Sequence, residues 1–178
     1  LDTLVELPDG LSKKDVKKVV IFVHGSGAQN LDEDLSAVTI PKGSTNLFFR
    51  DVADVLLKQN IATVRYNKRS FEVKKKVEVD QKFKESEEVK KFSENPLEYL
   101  IKDTLHFVEY SKGEFPNAQI FILGHSEGTG VALNAAKRNK NVSGVVLIGF
   151  TNEPITSALL EQFVYRQQGH FKKLDTNR

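Results

Sequence analysis

The sequence has no cysteine among its 178 residues. That excludes a disulfide framework, a thiolate nucleophile and a thiolate metal site, and it leaves both reducing and oxidising compartments open. Methionine is absent as well, an odd gap for this length that interrupts none of the motifs below. No apolar run approaches the roughly 20 residues of a membrane-spanning helix. An excess of one charge is also lacking. The 26 Lys and Arg stand against 24 Asp and Glu, so composition calls for neither nucleic acid nor a membrane surface as partner. Histidine is scarce, and none of the four has the HxH or HExxH spacing of a metal site. A phosphate-binding loop is missing too, because the glycine-rich stretch at 24–30 lacks the Lys-Ser/Thr of a P-loop. No signal peptide is legible, and a chain opening on Leu1 is compatible with a leader removed beforehand, so the compartment stays open.

What the chain does have is Gly124-His125-Ser126-Glu127-Gly128. An apolar run at 119–123 precedes it, and Val131, Leu133, Ala135 and Ala136 follow at helical spacing. This is the G-x-S-x-G pattern set between a strand and a helix, and the setting carries more weight than the letters. A serine on so tight a turn sits in a strained backbone conformation, and Gly124 and Gly128 are needed where side chains would collide. Its Oγ then stands clear of the sheet, and the Glu127 amide points at the same space. An ordinary glycine-rich strand-helix turn is the bland reading, and the nucleophile reading outweighs it.

A second motif closes another apolar run. Val19 to Val23 ends in His24-Gly25-Ser26-Gly27, which resembles the HGxG loop of α/β-hydrolases. In that family the loop supplies one oxyanion-hole amide, which the resemblance places on Ser26. Paired with the Glu127 amide it would bind the oxygen on which charge develops during acyl transfer. The stretches HGSGAQNLDED at 24–34, FFRD at 48–51, VRYNKR at 64–69 and GHSEG at 124–128 together resemble a bacterial branch of the α/β-hydrolases. The resemblance covers roughly residues 15 to 150. It implies an enzyme of esterase or dienelactone-hydrolase type, and a strand order with residues 19–23 between 61–66 and 119–123.

The remaining pattern fits such a fold. A short strand is expected at 4–7, ended by the Pro8-Asp9-Gly10 turn. Residues 28–44 read as a long loop. Leu47, Phe48, Val52, Val55 and Leu56 recur at helical spacing, so a helix is expected over 45–59, followed by a strand at 61–64. Residues 72–92 are dense in Lys and Glu and read as a solvated helix or loop rather than a partner-binding patch. Asn95 reads as an N-cap with Pro96 at the first helical position, opening a helix to about Tyr110. Residues 142–148 should be another fully buried strand. Alternating strands and helices, with near-continuous apolar strands, indicate an α/β fold: a mostly parallel sheet with helices on both faces. The expectation is one α/β-hydrolase domain over 1–178, an N-terminal portion lacking the last strands, with 151–178 a lid or the start of an inserted segment.

A serine nucleophile needs a histidine base and an acid to hold it, following in the order Ser, Asp or Glu, His. His170 is the one histidine after Ser126, and Glu153 lies between them. Too few residues separate Glu153 from His170 for two further strands, so this pair is not expected to complete the site. His24 and His125 sit within the two motifs, where the family uses them for packing, and His106 lies in an expected helix. Asp175 and Asn177 match the first two ligands of an EF-hand loop whose remainder would lie beyond residue 178, so calcium is a weak possibility only. The reading is a serine hydrolase that cleaves a small-molecule carboxylic ester through acyl-Ser126, without metal or organic cofactor. The rival is a non-catalytic binding or regulatory protein of the same fold, and a calcium-responsive module is a third class. An unpaired edge at 142–149 would favour self-association.

Overall fold

In the computed structural model, residues 1–38, 42–150 and 160 are described. The chain divides into two compact units, Leu1–Ile148 and Gly149–Arg178, and the architecture below is that of the first. Five strands form one sheet: β1 (Thr3–Glu6), β2 (Lys18–Val23), β3 (Ala62–Tyr66), β4 (Gln119–His125) and β5 (Val142–Ile148). Their order is β1-β3-β2-β4-β5. Only the β1–β3 pair is antiparallel, so this is the mostly parallel sheet that the near-continuous apolar runs indicated. The expected central trio, 19–23 between 61–66 and 119–123, is in place.

Alternation along β2 divides the core. Val19, Ile21 and Val23 pack with Ala62, Val64, Ile120 and Ile122 on one face. Val20 and Phe22 join Leu123 on the other, as successive side chains of a strand point to opposite sides. Helix α1 (Phe48–Lys58) covers the second face with Phe49 and Ala53. Two further helices, α4 (Pro96–Glu114) and α5 (Glu127–Arg138), cover the first with Ile101, Phe107, Val108, Val131, Ala132 and Ala135. The Lys/Glu-rich stretch between β3 and α4 forms α2 (Arg69–Val79), a 3-10 turn at Gln81–Glu85 and α3 (Glu87–Glu94), none of which buries a residue. The starts of the 3-10 turn, α3 and α4 are capped by side chains: Asp80 accepts from the Lys82 amide, Ser86 from that of Val89, and Asn95 from that of Glu98. Pro96 stands at the start of α4, as its fixed φ and missing N–H favour.

One expectation needs correcting. β5 is half-buried, not fully buried, and Val146 is 44% exposed. The run Val145 to Ile148 is as apolar as a central strand, but among the described residues β5 pairs with β4 alone. An outermost strand loses cover that sequence pattern does not report. No helix among the described residues is long and apolar enough to cross a membrane.

Candidate active site

The site begins where β4 stops. Ser126 follows His125 directly and precedes the first residue of α5, with φ 50° and ψ −117°. Such a conformation costs a non-glycine residue about 1–3 kcal/mol and persists only where surrounding contacts enforce it. Here its amide donates to the Ile148 carbonyl at 2.8 Å. Its carbonyl accepts from the Thr129 amide at 3.0 Å and from Thr129 Oγ1 at 2.6 Å. With the backbone tied on both sides, Oγ is left without a hydrogen bond to any described residue. The flanking glycines are steric necessities. A Cβ on Gly124 would meet the Gly128 carbonyl oxygen at 2.4 Å, and one on Gly128 would meet the Val23 carbonyl oxygen at 2.2 Å.

The loop after β2 lies against this turn. A Cβ on Gly25 would stand 3.3 Å from Ser126 Cβ, which puts Ser26, the next residue, beside the serine. Gly27 has φ +91°, a conformation that favours glycine. Among the described residues neither the Ser26 nor the Glu127 amide has an acceptor. For Glu127 this follows from its place in the first turn of α5, where helix N–H groups lack intrahelical partners.

Neither nearby histidine is hydrogen-bonded to Ser126. His24 is buried, edge-on to Tyr66 and tilted on Phe49, and its Nε2–H donates to the Asn30 carbonyl at 2.9 Å. Burial first, then the Lys68 charge, holds its pKa down at about 3. It is therefore neutral in the folded protein, whereas in the unfolded chain it titrates near about 6.5. Because the unfolded state takes up the proton first, stability is complete above that value and falls as pH drops from there toward 3. Substituting His24→Gln should remove this dependence. By linkage, the loss of unfolding free energy between pH 7 and pH 5 should shrink by about 2 kcal/mol. Urea titrations of the two proteins at both pH values check this, and an unchanged acid slope would mean that His24 is not held neutral. His125 instead faces Glu33, Nδ1 lying 3.0 Å from Oε1 but out of alignment for a hydrogen bond. His106 is on the exposed side of α4. Glu153, His170, Asp175 and Asn177 lie outside the described residues. No group of three or more metal-ligating side chains occurs among the described residues.

Three side chains at the site escaped sequence reasoning. Glu33 is completely buried, has φ 46°, and accepts the Gly25 amide at 2.6 Å. Lys68 is buried as well, and its Nζ reaches the Gly25 carbonyl and Glu127 Oε2, each at 2.6 Å. Glu127 thus contributes a side chain besides its amide. The available signal was the likeness of NLDED and RYNKR to the α/β-hydrolase pattern, which marked these stretches without assigning them a task.

The family model described as "Serine aminopeptidase, S33" matches residues 43–157, more than half of the chain and inclusive of Lys68 and the Ser126 turn. The chain belongs to the S33 family. This places it in the α/β-hydrolase superfamily, in accord with the likeness read from its motifs. Esterase EstD of Thermotoga maritima is 30% identical over 148 residues, which are 83% of this chain and 30% of that protein. The crystal structure of a dienelactone hydrolase from Anabaena variabilis superposes with a TM-score of 0.51 at 20% identity, over 82% of this chain and 55% of that one. That structural likeness speaks for the fold. The chain therefore spans about a third of the length of the esterase and about half of that of the dienelactone hydrolase.

Proposed function

We propose that this protein is a serine hydrolase that cleaves carboxylic esters through an acyl-Ser126 intermediate. One observation carries the reading: the strained Ser126 presents an unengaged Oγ, next to two amides, of Ser26 and Glu127, that have no acceptor among the described residues. Oγ attacks the ester carbonyl, and the two amides take the charge on its oxygen. Collapse of the tetrahedral species expels the alcohol and leaves the acyl-enzyme, which water then cleaves with release of the acid. The base that takes the Ser126 proton comes from outside the described residues. The reaction as proposed calls for no metal or organic cofactor.

The substrate is a small molecule. The name of the matched family includes an aminopeptidase and that of the bacterial relative an esterase, so ester and amide are the alternatives to separate. The test is covalent capture. A fluorophosphonate incubated with the full-length protein should add to Ser126, as located by peptide mass spectrometry, and p-nitrophenyl esters should be turned over faster than amino-acid anilides. An unlabelled Ser126 in folded protein would favour the non-catalytic binding role in the same fold.

A further inference from the structure

Lys68 follows β3 by two residues and is 4% exposed. Removing an ammonium from water costs several kcal/mol unless its protons are taken up by well-placed acceptors. A lysine seeking only the half-exposed Glu127 carboxylate could have stayed at the surface. Its burial brings Nζ to the Gly25 carbonyl oxygen, 2.6 Å away.

Both contacts lead to the amides assigned above to the oxyanion. The Gly25 carbonyl and the Ser26 N–H are the two ends of one peptide group. A cation hydrogen-bonded to that carbonyl draws electron density toward the oxygen and makes the N–H at the other end a stronger donor. The second acceptor of Nζ, Glu127 Oε2, belongs to the residue whose own amide is the other donor. The preceding peptide group is held in the opposite sense, the Gly25 N–H donating to the buried Glu33 carboxylate at 2.6 Å. Gly25 is thus held on its N–H by the Glu33 side chain and on its carbonyl by that of Lys68. Further bonds join the same two segments: the Lys68 amide to the Gln29 carbonyl at 3.0 Å, and Ser70 Oγ to the Gly27 carbonyl at 2.9 Å.

We propose that Lys68 is a positioning residue that orients both oxyanion donors at once, polarising the Ser26 amide through the Gly25 carbonyl and anchoring the residue of the other through the Glu127 carboxylate. This rests on the reading of Ser126 as nucleophile. Its effect belongs to the tetrahedral species, where the negative oxygen exists, and not to the bound ester. Losing it should therefore lower kcat and leave KM alone.

The test uses full-length protein and a p-nitrophenyl ester. Lys68→Met keeps most of the side-chain bulk and removes the charge and all three donors. The expected result is a fall in kcat of about 30-fold to 100-fold, with KM within about two-fold, since removing one oxyanion donor outright costs about 100-fold to 1,000-fold. A trifluoromethyl ketone, which adds to the serine as a tetrahedral oxyanion, should lose affinity by the same factor as kcat/KM. If Lys68→Met fails to fold, Glu127→Gln replaces it. That change, on the solvent side of the pair, should lower kcat by about three-fold to ten-fold with a matching loss of ketone affinity. A folded variant with wild-type kcat overturns the proposal. So does a loss confined to KM, or one that leaves ketone affinity untouched, because a purely structural ion pair would behave that way. Failure of the nucleophile assignment is distinguishable, since it would appear in the wild-type protein as absent labelling of Ser126.

Discussion

Ser126→Ala in the full-length protein is expected to lose ester turnover by roughly 1,000-fold to a million-fold and to lose fluorophosphonate labelling entirely. The range reflects how serine and its base act as a unit, so that deleting one member removes nearly the whole effect, and the oxyanion donors alone leave a residue of catalysis. The fold should survive. Ser126 Oγ makes no hydrogen bond to a described residue, and the contacts that fix the turn run through its amide and carbonyl. Alanine inherits the φ of 50° and its strain. Ser126→Gly should be equally inactive but more stable than Ser126→Ala by about 1 kcal/mol, because glycine takes that conformation without the Cβ penalty. Steady-state kinetics and urea midpoints of the two variants separate these effects. Full activity in Ser126→Ala would remove the acyl-serine mechanism, and equal midpoints would mean that the turn is not strained.

What the sequence disclosed and what it hid divide along physical lines. β2, β4 and the first half of β3 were legible because strands buried on both faces are near-continuous apolar runs. The cap at Asn95 was legible because capping is settled within four residues. The strand-turn-helix setting of Ser126 follows from glycines at fixed offsets, since the backbone approaches within contact at both. The apolar pattern of β5 did not report its exposure, because Val145 to Ile148 are equally apolar at a sheet edge or centre. Nor were Lys68 and Glu33. Charged residues in a polar stretch ordinarily remain solvated, and the partners that draw these two inward are distant in sequence: Lys68 meets Gly25 across 43 positions and Glu127 across 59. The same separation explains Arg65. It is buried between Glu6, at 2.7 Å, and Asp32.

Two glycines in one helix give the sharpest test of how tightly the site is packed. By helix propensity alone, Gly128→Ala and Gly130→Ala should each stabilise α5 by about 1 kcal/mol. At Gly130 a Cβ would enter open space, so Gly130→Ala is expected to raise stability by about 0.5–1 kcal/mol. At Gly128 the new Cβ would lie 2.2 Å from the Val23 carbonyl oxygen and 2.6 Å from that of His24. Both are backbone atoms at the end of β2, unable to turn aside as a side chain would. Relief requires α5 and the end of β2 to part by about an ångström, and overpacking of this kind costs about 1–3 kcal/mol or more. The expected sign is therefore opposite for the two substitutions, with Gly128→Ala destabilising by about 2 kcal/mol, the upper end of that cost less its propensity gain, because the atoms it meets are backbone. The displaced strand end leads straight into Gly25 and Ser26, so folded Gly128→Ala should also lose ester turnover by more than about ten-fold, the scale of a misplaced reacting geometry. Urea unfolding of the pair decides the matter: a Gly128→Ala protein as stable as Gly130→Ala would mean that the elbow helix does not press on the end of β2.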